Sequence, residues 1–252
     1  MDLKRGAKPS SRHRLAGAQP HSVEGDTPSQ CLWKPARLSM WLNDVDGDCV
    51  TAEEAFAKGC PNPSIFITDD TVKTWATENN VLNGADLISV LDTMETAGFS
   101  QDGVLYNDGS PRSVDWTKDA TLRNAIAQGP VKIGVAADQL QNAVPNPPVS
   151  GWIATGFSKD NNEDHCVSLC GFGTISWLAE QLGVSVPAYV NGTAPAYALF
   201  TWNSIGIIDV PSLLAICGEA WLRIPTTETG KALPSKSRNV FQRIWGFVKK
   251  HF

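Results

Sequence analysis

A chain of 252 residues, 42% hydrophobic and 19% charged, can bury an ordinary core without disulfide staples. No apolar run reaches the roughly 18 residues of a membrane-spanning helix. No short apolar block follows the basic N-terminus either, so no secretory signal is expected and a cytoplasmic location is the default. The net charge of -5 hides a partition. Residues 1–22 carry five Lys/Arg and one Asp, residues 231–252 carry six Lys/Arg and no acid, and 10 basic and 25 acidic residues lie between them. Basic tails of this kind can touch membrane or nucleic acid, but solvated or self-docking tails are the expectation, and no nucleic-acid partner is expected.

Residues 1–30, rich in Ser, Pro, Gly and basic residues, predict a disordered arm. "ARLSMWL" (36–42) reads as a short extended segment, and a polar loop over 43–48 follows it. "CVTAEEAFAKG" predicts a helix, with Asp48 near its N-cap, Gly59 at its end and Ala52, Ala55 and Phe56 on one face. Helices follow over 70–78, over 85–97 and in "KDATLRNAIAQG". Beyond Gly129 the character changes to strand. "PVKIGVAA" alternates Val131, Ile133 and Val135, and "HCVSLCGF", "AYALFTW" and "AWLRI" read as further strands. Residues 174–195 look like an inserted helix and loop. The expectation is an α+β chain of two lobes, helical to about 129 and mostly strand after it. In "SRNVFQRIWGFVKKHF" an apolar stripe lies beside Arg243, Lys249 and Lys250, the mark of a basic amphipathic helix that docks on the body, on a partner or on a membrane surface.

"LNDVDGDCVTAEEAFA" (42–57) raises two chemical readings. Asp44, Asp46 and Asp48 alternate like calcium ligands, but Cys49 stands where an EF-type loop needs Gly and Ala55 where it needs Glu. The other reading is a nucleophile, because a helix N-terminus favours the thiolate of Cys49. A nucleophilic thiol needs a base. Of His13, His21, His165 and His251, only His165 lies outside the tails. Asn203, at the end of "AYALFTW", is a candidate to orient that imidazole, with Asp164 and Asp209 as weaker ones. Asn43 is placed to join the Cys49 N–H in an oxyanion hole. A zinc site from His165, Cys166 and Cys170 is disfavoured, because His165 and Cys166 point to opposite faces of one strand. Six cysteines without a secretory signal are expected to be reduced, although a Cys31–Cys60 or Cys49–Cys60 pairing stays open.

These segments, in this order, resemble the papain-like cysteine peptidases over roughly residues 36–224. Asn43 and Cys49 match an amide six residues before the nucleophile, "AIAQGPVKIGVAA" the "I…GPV" segment, and "EDHCVSLCGFG" the "DHAV…GYG" strand. "TWNSIG" resembles "KNSWG", and "GEAWLRI" resembles the closing "GENGYIRI". The family's usual amide is Gln, the aromatic after its Cys is Val50 here, and the arm before the body is too short for its usual inhibitory propeptide. The resemblance implies a two-lobe fold over 31–228, with a helical lobe and an antiparallel barrel-like β lobe; the linker and amphipathic helix over 229–252 lie beyond it. It implies a Cys49–His165–Asn203 triad, Asn43 at the oxyanion, Trp202 shielding the His165–Asn203 bond, and no metal or organic cofactor. The implied activity is peptide or amide hydrolysis on a peptide or protein substrate. The rivals are a non-catalytic papain-fold binding module and an acyl or amide transferase with the same triad.

Overall fold

A computed structural model describes residues 3–229. The amphipathic helix expected over 237–252 lies outside the described residues.

The described chain begins with β1 (Ala7–Lys8), α1 (Arg12–Gly17) and β2 (Cys31–Leu32). The helical lobe follows with α2 (Cys49–Gly59), α3 (Asp69–Glu78), β3 (Ala85–Asp86) and α4 (Leu87–Thr96). Then come β4 (Phe99–Gln101), β5 (Val104–Asp108), β6 (Arg112–Ser113) and α5 (Asp119–Gln128). The second half holds β7 (Val131–Val135), α6 (Asp138–Ala143), β8 (Ile153–Ala154), β9 (His165–Thr174) and α7 (Ile175–Leu182). It ends with β10 (Pro195–Thr201), β11 (Ser204–Asp209), α8 (Val210–Ile216), β12 (Cys217–Leu222) and β13 (Pro225–Thr229). No helix among the described residues is long and apolar enough to cross a membrane.

The main sheet runs β6-β12-β7-β9-β10-β11-β8, with β2 added on β9, and it does not close into a barrel. A smaller sheet, β13-β5-β4, adds the last described strand to the β4–β5 hairpin of the first half. Its β4–β5 hairpin turns at Asp102-Gly103, both in the left-handed region, as a two-residue loop between right-twisted strands demands. The helical lobe thus carries a short hairpin besides its helices.

Alternation along β9 divides the apolar residues between two cores. Cys166 and Cys170 join Cys49, Val50, Ala55 and Phe56 of α2. Val167 and Leu169 join Leu122 and Ile126 of α5 and Val131 and Ile133 of β7. The α2 helix is buried along its whole length. Phe56 of α2 stacks on Phe200 of β10 with ring centroids 4.0 Å apart, which fixes the helix against the sheet.

Residues 3–32 are ordered against the body rather than disordered. Leu3, Ala7, Ser10 and His21 are buried, His21 Nε2 shares a hydrogen bond with Asn124 Oδ1 (3.0 Å), and β1 pairs in parallel with β3. Composition alone misjudged this arm because its contacts are made with distant residues rather than within itself. "ARLSMWL" pairs in no sheet and ends in a turn, with Trp41 and Leu42 at positive φ. All six cysteines are free, so neither pairing with Cys60 forms.

Candidate active site

Cys49 opens α2, and 1% of it is exposed. Its Sγ accepts the Cys166 N–H at 3.4 Å, which places the sulfur at the start of β9 beside the backbone of His165's neighbour. The His165 ring is held on two sides. Trp202 stacks on it at 4.2 Å with the planes 13° apart, and Nε2 shares a 2.8 Å hydrogen bond with the Thr201 hydroxyl. Nδ1 is buried and has no hydrogen-bond partner.

The structure thus gives the imidazole a partner other than Asn203. Register pairs Thr201 with Ser204, so Trp202 and Asn203 are the two turn residues of the β10–β11 hairpin, with φ of 42° and 59°. Asn suits such a turn. Trp202 is an unusual residue for the left-handed region, and its position there accompanies the stacking on His165. Strand alternation carried the missed signal. Tyr197, Leu199 and Thr201 share one face of β10, and Tyr197 and Leu199 pack in the core that holds Val167 and Leu169, which alternate with His165 on β9. Of the weaker candidates, Asp209 caps α8 by accepting the Ser212 N–H (3.0 Å), and Asp164 accepts the Ala137 N–H (3.0 Å).

Asn43 is 3% exposed, and its side-chain amide donates to the Asp46 carbonyl at 3.3 Å. Asp48, the residue before Cys49, is fully buried without a hydrogen-bond partner for either carboxylate oxygen, and burial together with Asp46 pushes its pKa up to about 8.

The N-terminal arm crosses the site. The Lys4 N–H donates to the Asn43 carbonyl (3.0 Å), and the Lys4 carbonyl accepts from Trp202 Nε1 (2.9 Å). The Gly6 carbonyl accepts the Ala85 N–H (3.0 Å), and the Ala7 N–H donates to the Asp164 carbonyl (3.1 Å). The N–H groups of Gly6 and Ala7 lie near enough to the Cys49 sulfur to favour its thiolate. Gly6 is required for this passage, because a Cβ there would collide with the Gly47 carbonyl. Under this cover no hydrogen bond joins Cys49 to His165. Burial raises the Cys49 thiol to about 12, against the N–H groups that favour its thiolate. Burial, helped by the Arg5 charge, lowers the imidazole to about 3. Both groups are neutral in this closed state.

No family model matches the sequence, and no curated protein matches it. Solved structures do. The Amb a 11 cysteine protease of ragweed pollen in its proform aligns with 88% of this chain and 75% of its own, at TM-score 0.60 and 12% identity. Xylellain, a cysteine protease from Xylella fastidiosa, aligns over 91% and 98% at TM-score 0.59 and 11% identity. A Carica candamarcensis cysteine protease in complex with E-64 aligns over 78% and 98% at TM-score 0.56 and 12% identity. The chain has the papain-like cysteine protease fold.

Within this papain-like frame the underside of α2 is distinctive. Glu53, Glu54 and Lys58 of the helix are buried with Asp108 of β5, Lys132 of β7 and Arg223. Lys132 Nζ meets Glu53 (3.0 Å), Glu54 (2.5 Å) and the Val50 carbonyl (2.7 Å), while Arg223 Nη2 bridges both Glu53 oxygens at 2.7 Å. Lys58 pairs with Asp108. Burial opposes the Glu54 charge, but Arg223, Lys132 and Lys58 outweigh it and hold the carboxyl below its ordinary value. Val50 follows Cys49 directly, so the Lys132 bond anchors the first turn that carries the thiol.

Proposed function

We propose that the protein is a cysteine-type hydrolase of peptide or amide bonds, with Cys49 as nucleophile and His165 as base. The observation that supports this reading is a helix-start thiol at the head of β9, bonded to the N–H next to a residue whose imidazole has Nε2 tied to Thr201 and a buried, unclaimed Nδ1. Turnover requires Lys4–Ala7 to leave the cleft. Nδ1 of His165 then takes the Cys49 proton, while Nε2–H donates to the Thr201 hydroxyl. The sulfur attacks the carbonyl carbon and an S–C bond forms. The Cys49 N–H, with the Asn43 amide turned from Asp46, faces the developing oxyanion. The imidazolium protonates the leaving amine, and water then hydrolyses the thioester through the same base. Asn203 acts on this site through the hairpin turn.

The test is iodoacetamide labelling with intact mass, together with a fluorogenic peptide screen, on the full chain carrying Gly6→Leu to keep the arm out. Cys49 should label faster than the other five thiols at neutral pH, and Cys49→Ala should abolish hydrolysis. Equal labelling and no turnover would reject the reading. The Asn43–Asp46 bond and the absence of a Cys49–His165 bond favour a second reading, a non-catalytic peptide-binding module. Tight peptide binding unchanged by Cys49→Ala, with no turnover, would select it.

A further inference from the structure

We propose that Asp138, Gln141 and Asp164 form a subsite that selects a basic side chain, arginine above lysine, on the leaving-group side of the scissile bond. Its place in the reaction rests on the hydrolase reading above; its recognition chemistry does not require turnover.

The arm's own Arg5 now fills this subsite. Its Nη1 donates to Asp138 Oδ1 (2.5 Å) and Asp164 Oδ2 (2.7 Å), and its Nε and Nη2 both donate to Gln141 Oε1 (3.0 and 2.5 Å). The body supplies and positions these acceptors. Asp138 and Gln141 lie three residues apart on α6 and so share a face. The other oxygen of Asp164 takes the Ala137 N–H, at the head of the same helix, which leaves Oδ2 turned to the guanidinium. Among the described residues the ion pairs of both carboxylates go to Arg5 alone. When the arm departs, two neighbouring anions lose the one cation between them, so a basic replacement is favoured and an acidic one is repelled. A guanidinium matches acceptors spread over its fork, whereas the ammonium of Lys is a point charge.

The location assigns the side of the bond. Asp164 precedes His165, whose imidazole protonates the leaving amine. Arg5 lies between Gly6, whose N–H favours the Cys49 thiolate, and Lys4, which contacts Trp202 and Asn43. The arm runs parallel to β3; the subsite is therefore defined by its position beside His165 and not by the chain direction of its present occupant.

The experiment uses the full chain with Gly6→Leu and quenched peptides that differ only at the first residue after the cleaved bond. Arg should be cut about tenfold faster than Ala and faster still than Glu, with Lys between Arg and Ala. Asp138→Asn, at an exposed position, should narrow the Arg-to-Glu ratio severalfold. Equal rates in an active enzyme overturn the subsite and leave the hydrolase reading standing. If no peptide is cut, that reading fails, and the subsite is judged by fluorescence anisotropy with the chain carrying Gly6→Leu and Cys49→Ala. An Arg-peptide preference narrowed by Asp138→Asn sustains it, and equal affinity for Arg and Glu peptides overturns it. Should Gly6→Leu prevent folding by circular dichroism, the chain carrying Arg5→Glu replaces it. There an Arg peptide added in trans should slow iodoacetamide labelling of Cys49 and a Glu peptide should not, and equal effects again overturn the proposal.

Discussion

Replacing Lys132 with Met should destabilise the fold more than any surface change, and the cost follows from its surroundings. Lys132 is fully buried and its ammonium makes three contacts, to Glu53, Glu54 and the Val50 carbonyl. Burial lowers its pKa, yet Glu53 and Glu54 outweigh that effect and raise it, so it is charged in the folded state. Methionine keeps most of the volume, so the loss is electrostatic. Two glutamates are left with one fewer cation, and the buried Val50 carbonyl loses its donor. Breaking a buried pair from one side costs about 3–5 kcal/mol. For a domain of this size that corresponds to a fall in Tm of roughly 10 °C, at about 2–4 °C per kcal/mol. The assay is thermal unfolding by circular dichroism, with urea midpoints as a check. Adding Glu54→Gln to Lys132→Met removes one stranded charge and should recover at least about 1 kcal/mol as coupling energy. A single variant within about 1 kcal/mol of wild type, or a double variant at the sum of the two losses, would refute the account of α2 as a helix anchored by compensated buried charge.

Thr201→Val removes the hydroxyl on His165 Nε2 and should lower kcat/KM more than Asn203→Gly does, shifting the pH profile as well; the reverse order would return the orienting role to Asn203. Gly6→Leu should speed alkylation of Cys49 by more than about tenfold at pH 7, because exposure lowers a thiol now held at about 12 by burial; an unchanged rate would mean that the arm does not control access. Asp48 gives a stability slope. Its ordinary value is 3.8 and its folded value about 8, so the folded chain holds one more proton between those limits. Its contribution is present below about pH 4 and is lost as pH rises toward 8, at up to about 1.4 kcal/mol per pH unit. Glu163, pushed up to about 9 by burial and the neighbouring Glu219 carboxyl, acts in the same direction. Urea midpoints from pH 5 to 8 should therefore fall less steeply in Asp48→Asn than in wild type, and parallel curves would contradict the burial of an unpartnered carboxyl.

What the sequence could show depended on how far away the partners lie. Helices α3, α4 and α5 and strands β7, β9 and β10 were legible because apolar period is a local property. The β4–β5 hairpin was also local, and its Asp-Gly turn between apolar residues was the overlooked mark. The underside of α2 was not legible in this way. Glu53, Glu54 and Lys58 look like a solvated face until Asp108, Lys132 and Arg223 arrive from other strands. Cys49 and His165 could be singled out by elimination, since only one histidine lies between the tails. The hydroxyl bonded to the imidazole could not, because the motif-like "WNS" drew attention two residues past Thr201, and only the hairpin register places Asn203 in the turn. The arm failed for the same reason as α2. Its Gly, Pro, Ser and basic residues form no core of their own, yet a chain that must pass between Gly47 and Gly84 needs a residue without a Cβ at Gly6. Glycine at position 6 is thus demanded by this close passage, and the neighbouring Arg5 is the residue whose contacts, with Asp138, Gln141 and Asp164, mark a chemistry the site can recognise.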